Sequence, residues 1–506
     1  MSKQNNLTDF LTDVANAIRA KKGSTDLINP QNFSAEIAAL SGGLEVIDMT
    51  ETTATIEPNK VYVWGMVESL DITLGASTDD SDFFAFRFRC SKPTMTVVTV
   101  NGATWADDTE LDTQGKPVLD LGSWYQCEIK GGTSALYARL AHYIPFADSN
   151  VEAELLANGV GDGIGITYAD AAKVTTISTW FKSNANITSF AEFVNFSGIT
   201  QLSKDAFYNC TALTEITFPS SLTKIENGVF QGCSSLTEIT FPSSLTRIGN
   251  GAFQVCSSLA EITFPDTLTF IGQYAFLSCK SLTRVVNLEN TQLTSISDEL
   301  FSGCSSLTEI SLPAGLTSIG SKAFLYCKLL TSVINLENTK VTSIGAQTFQ
   351  GCSSLTEITF PSSLTKILNG AFQVCSSLAE ITFPDTLTSI GQYAFLSCKS
   401  LTRAVNFENT QLTSISDELF RGCSSLTEIT LPAGVTSIRS KAFDGCSSLQ
   451  YIRIEATTPP TLASTNAIPS TIGAIYVPDE SIAAYQAATN WSSFASKIKG
   501  ISEMPA

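Results

Sequence analysis

Eleven cysteines recur through the second half of the chain, at Cys210, Cys233, Cys256, Cys279, Cys304, Cys327, Cys352, Cys375, Cys398, Cys423 and Cys446, with gaps of 23 or 25 residues. The text between them is nearly constant. CSSLTEITFPSSLTRIGNGAFQVC, from Cys233 to Cys256, reads C-x-x-L-x-x-I-x-x-P-x-x-L-x-x-I-x-x-x-A-F-x-x-C. A period in the twenties marks a solenoid, in which each unit contacts only its neighbours and no single unit can bury its own apolar face. Such folds bind along an extended face more readily than they enclose a reaction.

Within one unit the apolar positions Leu236, Ile239, Phe241, Leu245, Ile248, Phe253 and Cys256 are spaced too irregularly for one long helix. Residues 236–241 are short and rich in Thr and Ile, and Pro242 closes them, which predicts a strand. Residues 245–248 predict a second extended piece; Gly249, Asn250 and Gly251 turn the chain; Ala252 and Phe253 pack inward as a tight turn or 3₁₀ segment. Stacking sets each Leu, Ile, Phe and Cys above its counterpart at about 4.8 Å. A larger duplication overlies the repeat: residues 233–324 and 352–443 are almost the same text, offset by 119 residues.

The repeat closely resembles the BspA-like leucine-rich repeats of bacterial surface antigens and gut-bacterial phage proteins, because the Pro, the Ala-Phe pair and the Cys recur in register over residues 186–456. Residues 457–506 break the pattern at Pro459-Pro460 and are similar to the terminal cap of such proteins. There Asp479 is expected to cap a helix carrying Ile482 and Tyr485, while Trp491, Phe494 and Ile498 cover the last open coil, whose edge would otherwise be sticky.

Identical positions in stacked coils point the same way, and parallel Cβ vectors make poor disulfide geometry. The eleven cysteines are therefore read as a ladder of buried thiols. Cys90 and Cys127 belong to another domain, as a pair or, in a chain folded in a cytoplasm, as free thiols. His142 is the single histidine, which leaves no Ser/His/Asp set and no Cys/His metal spacing, and no Gly-rich phosphate loop follows a strand. The reading is a non-enzyme without cofactor or metal. A net charge of −18 disfavours nucleic acid and anionic membrane as partners. No stretch is long enough to span a bilayer, so no membrane insertion is expected. MSKQNNLTDFLTDVANAIRAKKG lacks an unbroken apolar core, which argues for a cytoplasmic origin.

Upstream, Leu7, Phe10, Leu11, Val14 and Ile18 follow helical spacing, and a second short helix is expected around Phe33, Ile37 and Leu40. Residues 1–43 are too few to hold a core alone, so they are read as an anchoring or oligomerisation segment. LTDVANAIRAKKGSTDLINPQNFSAEIAAL is similar to N-terminal segments of phage tail and other virion proteins. Residues 44–145 switch to strand text with Asn-Gly and Gly-Gly turns, which predicts an antiparallel β-sandwich or barrel. The phrase TIEPNKVYVWGMVESLDITL is similar to β-modules of phage fibre and tail proteins. Trp64, Trp105 and Trp124 are read as core residues, with stacking on sugars as the alternative. Residues 146–185 resemble a degraded EF-hand or dockerin loop; Asn158, Asp162 and Asp170 are its only candidate calcium ligands, and the segment is read as a connector.

The expected architecture is thus mainly β and multidomain: short N-terminal helices, an antiparallel β-sandwich, and a BspA-like leucine-rich-repeat solenoid with a C-terminal cap. The outward positions of the first strand in each unit form a candidate binding column: Glu215, Glu238, Glu261, Arg284, Glu309, Ser332, Glu357, Glu380, Arg403, Glu428 and Tyr451. Thr217, Thr240, Thr263, Ser311, Thr359, Thr382 and Thr430 flank it. Together the resemblances imply a phage virion structural protein (fibre, tail or capsid-attached) that presents the solenoid to a host-surface glycan or protein. Residues 1–43 would join it to other virion proteins and make a homo-oligomer, a trimer being one such state. A bacterial cell-surface adhesin is the alternative, and an intracellular repeat scaffold a third.

Overall fold

The computed structural model describes residues 143–161 and 165–504, together with the backbone of the strands between residues 45 and 142. The anchoring residues Leu7, Phe10, Leu11, Val14 and Ile18 lie outside the described residues, as do the side chains of Trp64, Trp105 and Trp124. Contacts divide the chain into two compact units, residues 1–175 with 187–199, and residues 176–186 with 200–506.

In the first unit the predicted β-rich module carries a six-stranded and a three-stranded sheet. Antiparallel pairing joins Phe83–Cys90 to Trp124–Gly132 and the latter to Ala135–Tyr143. The earlier strands pair in parallel: Glu45–Met49 with Lys60–Val67, Lys60–Val67 with Phe83–Cys90, and Thr53–Ile56 with Leu70–Leu74. Successive strands alternate between the two sheets, so each sheet receives its early strands in one direction. Alternating apolar text reports a half-buried strand but says nothing of the direction of its neighbour.

Downstream, helix α1 (Ser149–Ala157) is capped by Asp148, whose carboxylate accepts from Asn150 N at 2.9 Å and from Thr188 Oγ1 at 2.9 Å. Burial alone would raise the Asp148 pKa, but the hydrogen bonds from Thr188 and Asn150 prevail and hold it below the ordinary value. Helix α2 (Tyr168–Lys173) opens on a capping box between Thr167 and Asp170. Two candidate calcium ligands thus serve helix ends: Asp170 in this box, and Asn158, which donates to Glu154 O at 2.8 Å as the C-cap of α1. The third, Asp162, lies outside the described residues.

The second unit is the coil stack. In the coil from Cys233, the strand Glu238–Thr240 pairs in parallel with Glu261–Thr263, and that in turn with Arg284–Val286. The second predicted run is also extended: Arg247–Ile248 lies between Lys224–Ile225 and Phe270–Ile271. The turn at Ala252-Phe253 adds a third ladder of backbone hydrogen bonds. Gly251 N reaches Gln273 O, Phe253 N reaches Ala275 O and Val255 N reaches Leu277 O, all at 2.8 Å. Two residues per turn sit at positive φ to aim these groups along the stack, here Gly251 at +60° and Val255 at +63°.

Inside, the phenylalanines form one continuous column. Neighbouring rings from Phe181 to Phe276 stack at centroid separations of 5.0, 5.2, 5.2 and 5.3 Å. The column continues to Phe443, with Phe420 and Phe443 5.8 Å apart. The eleven cysteines are free and buried, as the parallel Cβ vectors required. Each thiol donates to the phenylalanine carbonyl of the preceding coil; Cys256 Sγ lies 3.1 Å from Phe230 O and Cys279 Sγ 3.2 Å from Phe253 O. The same carbonyl also accepts the cysteine amide of its own coil, Cys256 N to Phe253 O at 3.2 Å.

At the C-terminal end Tyr485 and Trp491 are fully buried and bond back to the last coil, Tyr485 Oη to Ala456 O and Trp491 Nε1 to Pro460 O, both at 2.7 Å. Helix α3 (Ile482–Ala487) starts after Ser481 and not at Asp479. Asp479 instead opens the preceding 3₁₀ turn and accepts from Ser502 Oγ at 2.8 Å.

Candidate binding face

A strand in a stacked coil shows alternate side chains to the core and to solvent. Glu238 and Thr240 face out while Ile239 is buried, and the pattern repeats at Glu261–Thr263 and Glu380–Thr382. Register brings the column together as the sequence spacing predicts: Glu238 beside Glu261 beside Arg284, Glu309 beside Ser332, Glu380 beside Arg403, and Glu428 beside Tyr451. Glu215 and Glu357 are exposed on the same run of coils.

Like charges at strand spacing repel, and three exceptions relieve the column. Arg284 sits 3.7 Å from Glu261 and Arg403 3.6 Å from Glu380, with all four side chains more than half exposed. Solvent screening holds each pair to about 0–1 kcal/mol. Tyr451 donates its hydroxyl to Glu428. Burial, that hydrogen bond and the carboxylate charge push the Tyr451 pKa up to about 12. Tyr451 therefore remains a neutral donor through the physiological range.

The structure sorts the abundant hydroxyls into two sets. Thr223, Thr246 and Thr269 donate to the carbonyl one coil back, at 2.9, 3.1 and 3.0 Å. These side chains are fasteners between coils. Thr240, Thr263 and Thr382 on the outward strand are exposed, and among the described residues their hydroxyls bond to nothing in the chain. Composition alone could not separate the two sets: the exposed hydroxyls end the -E-I-T- text of the first strand, and the fasteners open the second run after its leucine, as in Leu245-Thr246.

Sequence reasoning missed what the 25-residue coils do to this face. The strand ladder stops after Arg284–Val286, Ser332–Ile334 and Arg403–Val405; a new sheet begins in the next coil after the first and third, and at Glu380–Thr382 after the second. At each break an asparagine (Asn287, Asn335 or Asn406) takes the left-handed conformation and leads into a 3₁₀ turn. Asn406 Nδ2 holds the fold by donating to Phe383 O at 2.8 Å and Asp385 Oδ1 at 2.6 Å; Asn287 does the same with Phe264 O and Asp266 at 2.8 and 2.7 Å. The third break opens a cleft of about 150 Å³ lined by Arg403, Asn406, Glu408, Glu428 and Thr430 among others. The signal was available in the two extra residues and the NLENT or NFENT text they bring.

Five of the coil cysteines are held far from reactivity. Burial pushes the Cys279 thiol up to about 12 and raises Cys256, Cys304, Cys327 and Cys352 well above the ordinary range. A thiol that stays protonated is neither a nucleophile nor a metal ligand. Among the described residues no three His, Cys, Asp or Glu side chains converge as a metal would need, and no helix is long and apolar enough to cross a membrane.

The family described as "BspA type Leucine rich repeat region (6 copies)" matches residues 175–292, 286–402 and 402–462, more than half of the chain. No curated protein matches it. Among solved structures, a leucine-rich repeat protein from Bacteroides ovatus is 26% identical, with a TM-score of 0.51 over 65% of this chain and 88% of that one. A leucine rich cell surface protein from Faecalibacterium prausnitzii is also 26% identical, with a TM-score of 0.40 over 65% of this chain and 82% of that one.

Proposed function

The chain belongs to the BspA-type leucine-rich repeat family, and from that premise we propose that it is a bacterial cell-surface adhesin that grips a partner along the outward strand face of its coils. The observation that carries this reading is the exposed column itself. Carboxylates from Glu215 to Glu428 and unbonded threonine hydroxyls repeat in register on one face, while the chemistry of a catalytic centre is missing from that face. Repetition suits weak contacts multiplied along a surface. The reaction class is binding, with no bond made or broken.

The virion reading rests on the similarity of residues 11–40 and of the TIEPNKVYVWGMVESLDITL phrase to phage tail and fibre segments. Residues 1–43 remain its candidate attachment and oligomerisation segment. The family match favours the adhesin, since it covers the coils and leaves those segments untouched. Protease shaving of intact producing cells tests the choice: release of coil peptides before lysis supports the adhesin. Coil peptides found only in lysates or in purified particles overturn it.

A further inference from the structure

The breaks in the strand ladder are duplicated along with the sequence. Arg403, Asn406, Glu408 and Glu428 around the cleft have counterparts in Arg284, Asn287, Glu289 and Glu309, 119 residues earlier. The local backbone is the same, with Asn406 at φ 63° and Asn287 at φ 66°, each followed by a 3₁₀ turn and the same asparagine-aspartate bond. We propose that these two notches form a paired docking surface for an extended basic segment of a partner protein, each notch receiving one Lys or Arg side chain. The proposal rests on the adhesin reading and names the chemistry of its partner.

Charge complementarity carries it. The guanidinium of Arg403 is already matched by Glu380 at 3.6 Å, so Glu408 and Glu428 leave the notch with an excess of negative charge. Glu428 is held in place by the Tyr451 hydroxyl, and Glu408 is exposed without an ion pair among the described residues. A cleft of about 150 Å³ accommodates an ammonium or guanidinium head on its aliphatic stem. The surface is acidic beyond the notch as well, with a net charge of −18 for the chain. Five coils separate the two notches, about 24 Å at strand spacing, which an extended peptide spans in about seven residues. Two tethered contacts bind far more tightly than either alone, by factors on the order of 10² when the spacing fits.

The test uses the full chain and labelled peptides carrying two lysines eight or four residues apart, even spacings that keep both side chains on one face of an extended segment, read by fluorescence anisotropy. Tighter binding of the eight-residue spacing is expected, with about a tenfold or greater loss for Glu408→Gln/Glu428→Gln and loss to background when Glu289→Gln/Glu309→Gln is added. Arg284→Ala/Arg403→Ala should bind the basic peptide several-fold more tightly, about fivefold, a gain that misfolding cannot produce. Binding that ignores the spacing, or is unchanged by the four glutamine substitutions, overturns the proposal. Preference for an anionic oligosaccharide over the basic peptide overturns it too. If the glutamine variants still adhere to cells as the parent does, the notch assignment fails while the adhesin reading stands.

Discussion

Phe253 O accepts two hydrogen bonds, from Cys256 N in its own coil and from Cys279 Sγ in the next. A cysteine is the residue that satisfies this position, being small and apolar enough for the core and still a donor. Serine keeps the donor but adds the cost of burying a hydroxyl. Cys279→Ala removes the donor and leaves a small cavity, and should lower stability by about 1–2 kcal/mol, read as a fall in the urea midpoint at unchanged slope. An unchanged midpoint would remove the thiol ladder from the account. Val255 and Val374 show the opposite balance. They hold φ of +63° and +62°, and are 42% and 40% exposed, at a position where Gly232, Gly303 and Gly351 serve other coils. Left-handed backbone costs a β-branched residue about 1–2 kcal/mol, and little burial is lost with the side chain. Val255→Gly/Val374→Gly should therefore raise the melting temperature; a fall would show that the exposed valines contribute packing that outweighs the strain.

The coil is the element that the sequence describes best, because every buried position recurs and averages out local noise. Ile239, Phe253 and Cys256 face the core as the spacing requires, and the strands at Glu238–Thr240 and Arg247–Ile248 stand where Pro242 and Gly249 bound them. Less legible were features set by how one coil meets the next. Whether Thr246 fastens coils or faces solvent depends on a carbonyl 23 residues away. The ladder break after Arg403–Val405 depends on where two extra residues are accommodated. Asp479 was misread for the same reason, since its partner Ser502 lies across the cap and not within the helix. The additivity of coils gives a prediction at this scale. Deleting residues 233–351 joins Gly232 to Cys352, repeating the Gly351–Cys352 junction, and removes a whole 119-residue block. The shortened chain should unfold cooperatively with the beginning and end of the stack intact. Loss of the cooperative transition would mean that the coils are not interchangeable.

For the molecule as a whole, the proposed adhesin draws on family membership and on the exposed acidic column together. The wide acidic field, −18 over 506 residues, is the charge a basic partner of the proposed face would meet. The most direct measurement is adhesion of the purified chain to whole cells by flow cytometry, comparing Glu238→Lys/Glu309→Lys on the column with Glu226→Lys/Glu480→Lys away from it. The two variants change net charge equally, so screening and general repulsion are matched. Selective loss for the column variant, with the control binding like the parent, is the predicted result. Equal adhesion by both variants, or equal loss, would contradict the claim that the outward strand face is where this protein takes hold.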